Sequence, residues 1–200
     1  MTDTGIALLP ALSYAIVSIF TPGPNNVTAS SLGMRIGYPR TIGFICGVVT
    51  GFFVIMLAAG LLTEVLVSAY ERMALILRIV GVGYLLYLAY SLLRSSIHTH
   101  GASEAGSRYR DGLLLQLVNP KVILFALTMY ATLLAPLTSN PLAVVLSALV
   151  MAGLAFVSTS LWALLGSAIQ RFIGSPKVKV AYTAVMVLML LYAAWSVAFS

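Results

Sequence analysis

Charged residues are scarce in this chain of 200 amino acids. Five Asp or Glu and 11 Lys or Arg make up 8% of it, whereas an ordinary soluble domain has about 25%. Hydrophobic residues make up 60%, which is more apolar surface than a soluble core of this size can bury. The composition excludes an ordinary soluble domain and predicts an integral membrane protein.

Cysteine and histidine are also rare. Cys46 is the only cysteine, which excludes an internal disulfide and a redox pair. His98 and His100 lie in a polar stretch, where two histidines without a third ligand are more typical of a loop than of a metal site. The net charge of +6 does not indicate a nucleic-acid partner, because the basic residues are scattered between apolar runs. We therefore expect no metal, no other cofactor and no nucleic acid.

Long apolar runs dominate the rest of the chain. Six of them approach the length of about 20 residues that crosses a bilayer. We therefore predict one transmembrane domain over residues 1–200, an all-α polytopic protein in which the first run is retained and not cleaved as a signal. The six predicted spans are 5–33, 41–63, 73–93, 113–135, 141–166 and 178–199.

The basic residues predict an orientation, because connections rich in Lys and Arg remain in the cytoplasm. Arg72 and Arg78 lie by the connection between spans two and three. Eight others lie by the connections on the opposite side, so both termini are predicted on the outer side of the membrane. These eight are Arg35, Arg40, Arg94, Arg108, Arg110, Arg171, Lys177 and Lys179.

A polar connection over residues 94–111 divides the chain into two sets of three spans, about 5–93 and about 113–199. An odd number of spans gives the two halves opposite orientations. Such inverted repeats are common in transporters, whose substrate site lies where the halves meet near the middle of the bilayer. The sequence therefore predicts two inverted three-helix repeats.

The first span of each half carries residues that break helices. Proline removes an amide donor and clashes with the carbonyl one turn earlier, so Pro22 and Pro24 should unwind a turn around Gly23. The freed carbonyls are costly in hydrocarbon unless Asn25, Asn26 or water satisfies them. Two such breaks at corresponding places favour a binding site, and packing kinks are the alternative. In the fourth span the corresponding residues are Gln116, Asn119, Pro120 and Lys121.

Lys121 lies ten residues after Asp111, which is about 15 Å at helical rise and about half the hydrocarbon thickness. A lysine at that depth costs about 2.5 kcal/mol or more. One interpretation makes Lys121 the counter-charge of a substrate carboxylate, assisted by helix N-terminal amides. The other has its ammonium reach the headgroups or the freed carbonyls of the first span.

Small and hydroxylated residues indicate helix packing. Gly43, Gly47 and Gly51 are spaced four apart and should let another helix approach closely, either within the chain or in a homodimer. For the stretch 158–160, which reads Ser-Thr-Ser, we expect a structural role, and for Trp162 a packing role.

No carboxylate falls at the centre of a predicted span. A pathway for cationic solutes or divalent metals would need buried negative charge, so a zwitterionic or neutral small solute fits better. An intramembrane enzyme lacks a nucleophile with a base. A passive channel or a structural subunit remains the main alternative to a carrier.

Several motifs together resemble the LysE/RhtB family of bacterial amino-acid exporters, over essentially the whole chain. They are T-P-G-P-N-N at 21–26, G-F-I-C-G-V-V-T-G at 43–51, R-I-V-G-V-G-Y-L-L-Y-L-A-Y at 78–90 and L-Q-L-V-N-P-K-V-I-L-F at 115–125. With W-A-L-L-G-S-A-I-Q-R at 162–171, the pattern looks closest to the branch that exports cysteine and O-acetylserine.

The resemblance implies efflux of small amino acids or their derivatives across the inner membrane of a bacterium, driven by a proton or ion gradient. One departure concerns the end of span four. Many relatives have a Pro-Gln-Phe stretch where this chain reads Y-A-T-L-L-A-P at 130–136, so the substrate preference does not transfer automatically.

Overall fold

The protein is described by a computed structural model that covers residues 4–97, 108–172 and 175–199, and these residues form helices without any β-strand. The prediction of an all-α fold is confirmed. A π-helical turn (Met129–Leu133) and a 3-10 turn (Ala135–Leu137) follow the sixth α-helix. The α-helices are α1 (Thr4–Phe20), α2 (Pro24–Ile36), α3 (Tyr38–Leu61), α4 (Thr63–Ile97), α5 (Tyr109–Leu117), α6 (Pro120–Thr128), α7 (Pro141–Phe172) and α8 (Pro176–Ala198).

Proline is the first residue of four of the eight α-helices in the described part of the chain. Its fixed φ suits the first helical turn, and its missing amide hydrogen removes a donor that has no helical partner there. Pro24 and Pro120 begin the helices that follow the two breaks, and Pro141 and Pro176 begin α7 and α8. Glycine ends α2, where Gly37 has a φ of 81° that other residues rarely adopt.

Two helices of the described residues, α3 and α7, are long and apolar enough to cross a bilayer. A third span results when α5 and Pro120–Leu133 are counted together across a bend of 61°. The arrangement of six spans therefore stays a prediction. His98 and His100 lie outside the described residues.

One expected connection is wrong. The stretch between predicted spans two and three belongs to α4, which begins at Thr63 directly after Leu62. The physical reason is that neither proline nor glycine occurs between Thr63 and Gly81, so nothing interrupts the helix.

The helices of the two halves of the chain pack across each other. The main contacts pair α2 with α7, α3 with α5, α4 with α8, and α3 with α7. Glycines allow α2 and α7 to approach each other closely. A Cβ on Gly33 would overlap the carbonyl of Ala163, and one on Gly166 would overlap the carbonyl of Ser30.

The glycines of α3 differ in their surroundings. A Cβ on Gly47 would overlap the carbonyl of Tyr109, and one on Gly51 would lie 2.8 Å from the Cβ of Gln116. Gly47 therefore brings α3 against the backbone of α5, and Gly51 makes room for the side chain of Gln116. Gly43 is exposed and takes no part in that contact.

We predict that Gly47→Ala destabilises the protein by about 1–3 kcal/mol, because the added methyl group forces α3 away from α5. Gly153→Ala is the matched control, since a Cβ there meets nothing within 4 Å. Unfolding of both variants in detergent micelles would be compared with that of the parent protein. Equal stability of the two variants would contradict the close α3–α5 contact.

Candidate functional site

The first break comprises Thr21, Pro22 and Gly23, which lie between α1 and α2. Gly23 is extended, with φ −164° and ψ −179°. Asn25 and Asn26 belong to the first turn of α2 and not to the break. The break is this short because Pro24 already has the φ that a first helical residue needs.

The two prolines leave the carbonyls of Ser18 and Phe20 without their usual amide donors, and side chains replace those donors. The hydroxyl of Thr21 donates to the Ser18 carbonyl at 2.9 Å. The indole Nε1 of Trp162 donates to the Phe20 carbonyl at 3.2 Å. Neither carbonyl is left unpaired.

The neighbouring carbonyls are satisfied in the same way. Asn26 Nδ2 donates to the carbonyl of Ile19 at 2.9 Å and to that of Thr21 at 3.0 Å. Ser158, which is buried in α7, also donates to the Ile19 carbonyl at 2.9 Å. The side chain of Asn25 makes no such bond and serves another purpose.

Trp162 was missed as a member of this site by reasoning from the sequence. The signal that points to it is chemical. An indole N–H inside an apolar helix needs an acceptor, and Pro24 frees one. Which carbonyl meets which donor depends on how α7 packs against α1, and sequence periodicity does not contain that information.

The second break lies at Val118 and Asn119, between α5 and α6. Asn119 is buried, and its Oδ1 accepts the backbone N–H of Lys121 at 3.1 Å, which caps α6. Pro120 occupies the first position of α6. The bent pair of α5 and α6 therefore has a capped second helix.

A chain of amide side chains joins the two breaks. Asn119 Nδ2 donates to Asn25 Oδ1 at 3.1 Å, and Asn25 Nδ2 donates to Gln116 Oε1 at 2.5 Å. The backbone N–H of Lys121 fixes the direction of this chain, because it requires the oxygen of Asn119 on its side. Gln116 is fully buried, and its Nε2 has no hydrogen-bond partner.

Lys121 connects α6 directly to the first break. Its Nζ donates to Thr21 Oγ1 at 3.0 Å and to the Thr21 carbonyl at 3.3 Å. Gly23 makes room for the lysine stem, since a Cβ there would lie 3.2 Å from Cδ and 3.2 Å from Nζ. The ammonium of Lys121 thus lies on a carbonyl of the first break.

A cavity of about 250 Å³ lies at the junction of the two breaks. Among the described residues, no Asp or Glu lines it, and no group of three His, Cys, Asp or Glu could hold a metal. Pro22, Gln116 and Pro120 are not part of its wall. The wall comprises Tyr14, Ser18, Ile19, Thr21, Gly23, Pro24, Asn25, Asn26, Phe52, Asn119, Lys121, Val122, Leu124, Phe125, Ala155, Thr159 and Ser196.

Comparison with known proteins identifies the class. Residues 16–198 match the model of the family described as LysE type translocator, so the chain belongs to the LysE family of translocators. Together with its apolar helices, this makes it a multi-pass membrane protein.

Curated relatives named cysteine/O-acetylserine efflux protein match most of the chain. One from Klebsiella pneumoniae is 33% identical over 171 residues, which cover 86% of each chain. One from Salmonella choleraesuis is 29% identical over 80% of this chain and 82% of the relative. One from Shigella flexneri is 27% identical over 84% of this chain and 86% of the relative. No solved structure matches the chain.

We predict that Trp162→Phe lowers the free energy of unfolding by about 1–3 kcal/mol, because it leaves the Phe20 carbonyl without a donor in an apolar surrounding. Trp195→Phe is the matched control, because that indole is 61% exposed on α8. Thermal unfolding in detergent measures both variants. A loss of equal size in the two variants would contradict the assigned role of Trp162.

Proposed function

We propose that this protein is a secondary active exporter of small zwitterionic amino acids or their neutral derivatives. The observation that carries the proposal is a cavity at the junction of two helix breaks, which contains one ammonium group and no carboxylate among the described lining residues. Such a site favours a solute that carries a carboxylate and disfavours a net cation.

The names of the relatives support a substrate of the cysteine or O-acetylserine type. Homoserine and threonine are also zwitterions with a short neutral side chain, so the proposal includes them. The cavity volume agrees with a small solute, because pockets for drug-sized ligands are about 300–1,000 Å³ and this cavity is about 250 Å³. Phe52, Phe125 and Val122 give one side of the wall an apolar character suited to a short uncharged side chain.

We propose substrate binding at both breaks. The residues concerned are Pro22, Gly23, Pro24, Asn25, Asn26, Gln116, Asn119, Pro120 and Lys121. Pro22, Gln116 and Pro120 contribute by shaping or holding the breaks, because none of the three lines the cavity.

The packing of the helices supports two inverted repeats and alternating access. When the unit α1–α2 is exchanged for the unit α5–α6, α3 for α7, and α4 for α8, the α2–α7 contact maps onto the α3–α5 contact. The α3–α7 and α4–α8 contacts then map onto themselves. A two-fold relation of this kind is typical of carriers whose halves move about a central site.

The directions of the helices support cytoplasmic placement of the basic residues. Gly47 lies by Tyr109 and Gly51 by Gln116, so α3 and α5 run parallel. Ser158 bonds to Ile19 and Ser167 bonds to Gly33, so α7 runs parallel to α1 and α2. The ends that carry Arg35, Arg40, Arg108 and Arg110 therefore gather on one face, which we assign to the cytoplasm of a bacterium, with both termini on the periplasmic side.

A proton gradient is the proposed energy source, and a homodimer is the proposed assembly. The exposed face of α3 that carries Gly43 is available for such a contact.

Counterflow in proteoliposomes tests the proposal against a passive channel or a structural subunit. Vesicles loaded with unlabelled L-cysteine or O-acetyl-L-serine should accumulate the labelled compound transiently, because a carrier exchanges one molecule for another. A channel would equilibrate the label without any overshoot, and that result would contradict the exporter. Protein-free vesicles are the control.

We predict that Lys121→Ala and Asn25→Ala each abolish efflux and still insert into the membrane. The first loses the ammonium group of the cavity, and the second breaks the amide chain between the two helix breaks. Lys177→Ala, which changes an exposed lysine at the start of α8, is the matched control. Retained efflux in both site variants would remove the proposed site.

A further inference from the structure

Most polar side chains around the cavity already have a structural partner. Asn25 and Asn119 bond to each other and to neighbouring groups, and Asn26 holds two carbonyls of the first break. Thr159 bonds to the carbonyl of Ala155 in its own helix. A solute that displaced any of these groups would uncover a buried polar atom, which is costly.

The pair formed by Lys121 and Thr21 differs from them. Thr21 is exposed to the cavity, and the lysine ammonium reaches it through a flexible stem with several rotatable bonds. Two acceptors of Thr21, the carbonyl and Oγ1, hold this ammonium at 3.3 and 3.0 Å. The site thus contains a cation seated on a pair of oxygen acceptors, without a carboxylate among the described lining residues.

This inference rests on the proposed function and concerns the substrate groups that the same site recognises. We infer that the substrate inserts between Lys121 and Thr21 and replaces the contact between them. The α-ammonium of the substrate takes the oxygen acceptors of Thr21, and the released lysine ammonium pairs with the α-carboxylate. Lys121 therefore occupies the ammonium position of the substrate when the site is empty.

Charge and hydrogen bonding favour this exchange. A zwitterion supplies one cation and one anion, so every group at the site regains a partner of suitable charge after insertion. An amine without a carboxylate would have to displace the lysine and leave two ammonium groups side by side, which is unfavourable. An N-acyl amino acid lacks the cation that Thr21 needs.

The inferred geometry also directs the substrate side chain. Tyr14 stacks on Phe125 with ring centroids 5.5 Å apart, and Phe52 lies 5.8 Å from Phe125. These rings form an apolar wall in the same cavity. A short neutral side chain can pack there, whereas a second ammonium or guanidinium would be buried without an acceptor of opposite charge.

Binding measurements on the full-length protein in nanodiscs test the exchange. L-cysteine, O-acetyl-L-serine and L-homoserine are compared first, and the tightest of them is then compared with its N-acetyl form and its methyl ester. A slightly acidic buffer keeps the amine of the ester protonated. We expect both derivatives to bind the parent protein at least about tenfold more weakly, because each loses a hydrogen-bonded charge.

Lys121→Met gives the distinguishing result. This variant removes the resident ammonium and keeps most of the stem, so Thr21 Oγ1 and the Thr21 carbonyl lose the lysine donor, while Asn26 still donates to the carbonyl. We expect the methyl ester to bind Lys121→Met about tenfold more tightly than it binds the parent protein. The unmodified amino acid should bind Lys121→Met more weakly than it binds the parent protein. In the double variant with Thr21→Val, the gain for the ester should shrink, and Thr21→Ser should preserve it as the matched control.

The outcomes separate the two proposals. Counterflow of L-cysteine by the parent protein, combined with equal binding of the amino acid and its ester, would overturn the exchange and leave the exporter intact. Absence of a gain for the ester in a folded Lys121→Met variant would do the same. If the parent protein neither bound any of the amino acids in nanodiscs nor transported them in proteoliposomes, both proposals would be contradicted. Thermal melting shows whether each variant is folded, and the ligand series on the parent protein and Thr21→Val decides the matter if Lys121→Met does not fold.

Discussion

The need to pair every backbone carbonyl away from water governs the centre of this protein. Pro22 and Pro24 separate α1 from α2 and remove two amide donors, and a bilayer offers no water to replace those donors. The replacements come from three directions, namely Thr21 within the break, Asn26 in the following helix, and Ser158 with Trp162 in α7. Because α7 supplies two of these donors, the packing of α7 contributes to the shape of the break. The break between α1 and α2 and the close packing of α7 against it are therefore coupled.

That arrangement separates fixed groups from movable ones. Asn25, Asn119 and Gln116 form a directed chain whose polarity follows from a backbone N–H, so none of them can turn without breaking a neighbour's bond. Lys121 is different, because its partner is a threonine at the cavity surface and its stem passes over Gly23. Replacing Lys121 with a short amide side chain would still supply a hydrogen-bond donor. The donor could not change its position, because the flexible stem of the lysine would be missing. A long flexible cation on a rigid frame suits a site that must hold and release a solute.

Much of the frame could be predicted from the sequence. The composition predicted a membrane protein, and the prolines predicted both helix breaks. The glycine spacing predicted the close approach of α3 to another helix. The predicted connection before residue 73 is wrong, because the charged residues there belong to α4 and no proline or glycine interrupts that helix. The donor set of the first break was predicted only for Asn26. Trp162 and Ser158 are distant in sequence, and their acceptors depend on the rotation of α7, which local pattern does not specify. The arrangement of six spans and the substrate contacts remain predictions.

Alternating access requires parts that stay together and contacts that separate. Glycine brings α2 against α7 and α3 against α5 so closely that any added Cβ at Gly33, Gly166 or Gly47 overlaps backbone. Interfaces packed at that distance resist sliding, because even small shifts create steric overlap. The bonds between these two helix pairs are of another kind. They include the hydrogen bonds from Asn119 to Asn25, from Asn25 to Gln116 and from Lys121 to Thr21, which lie at or beside the cavity. In the proposed transport cycle the tight pairs would move as bodies, and the contact between Lys121 and Thr21, which a zwitterionic solute can replace, would be the one that changes.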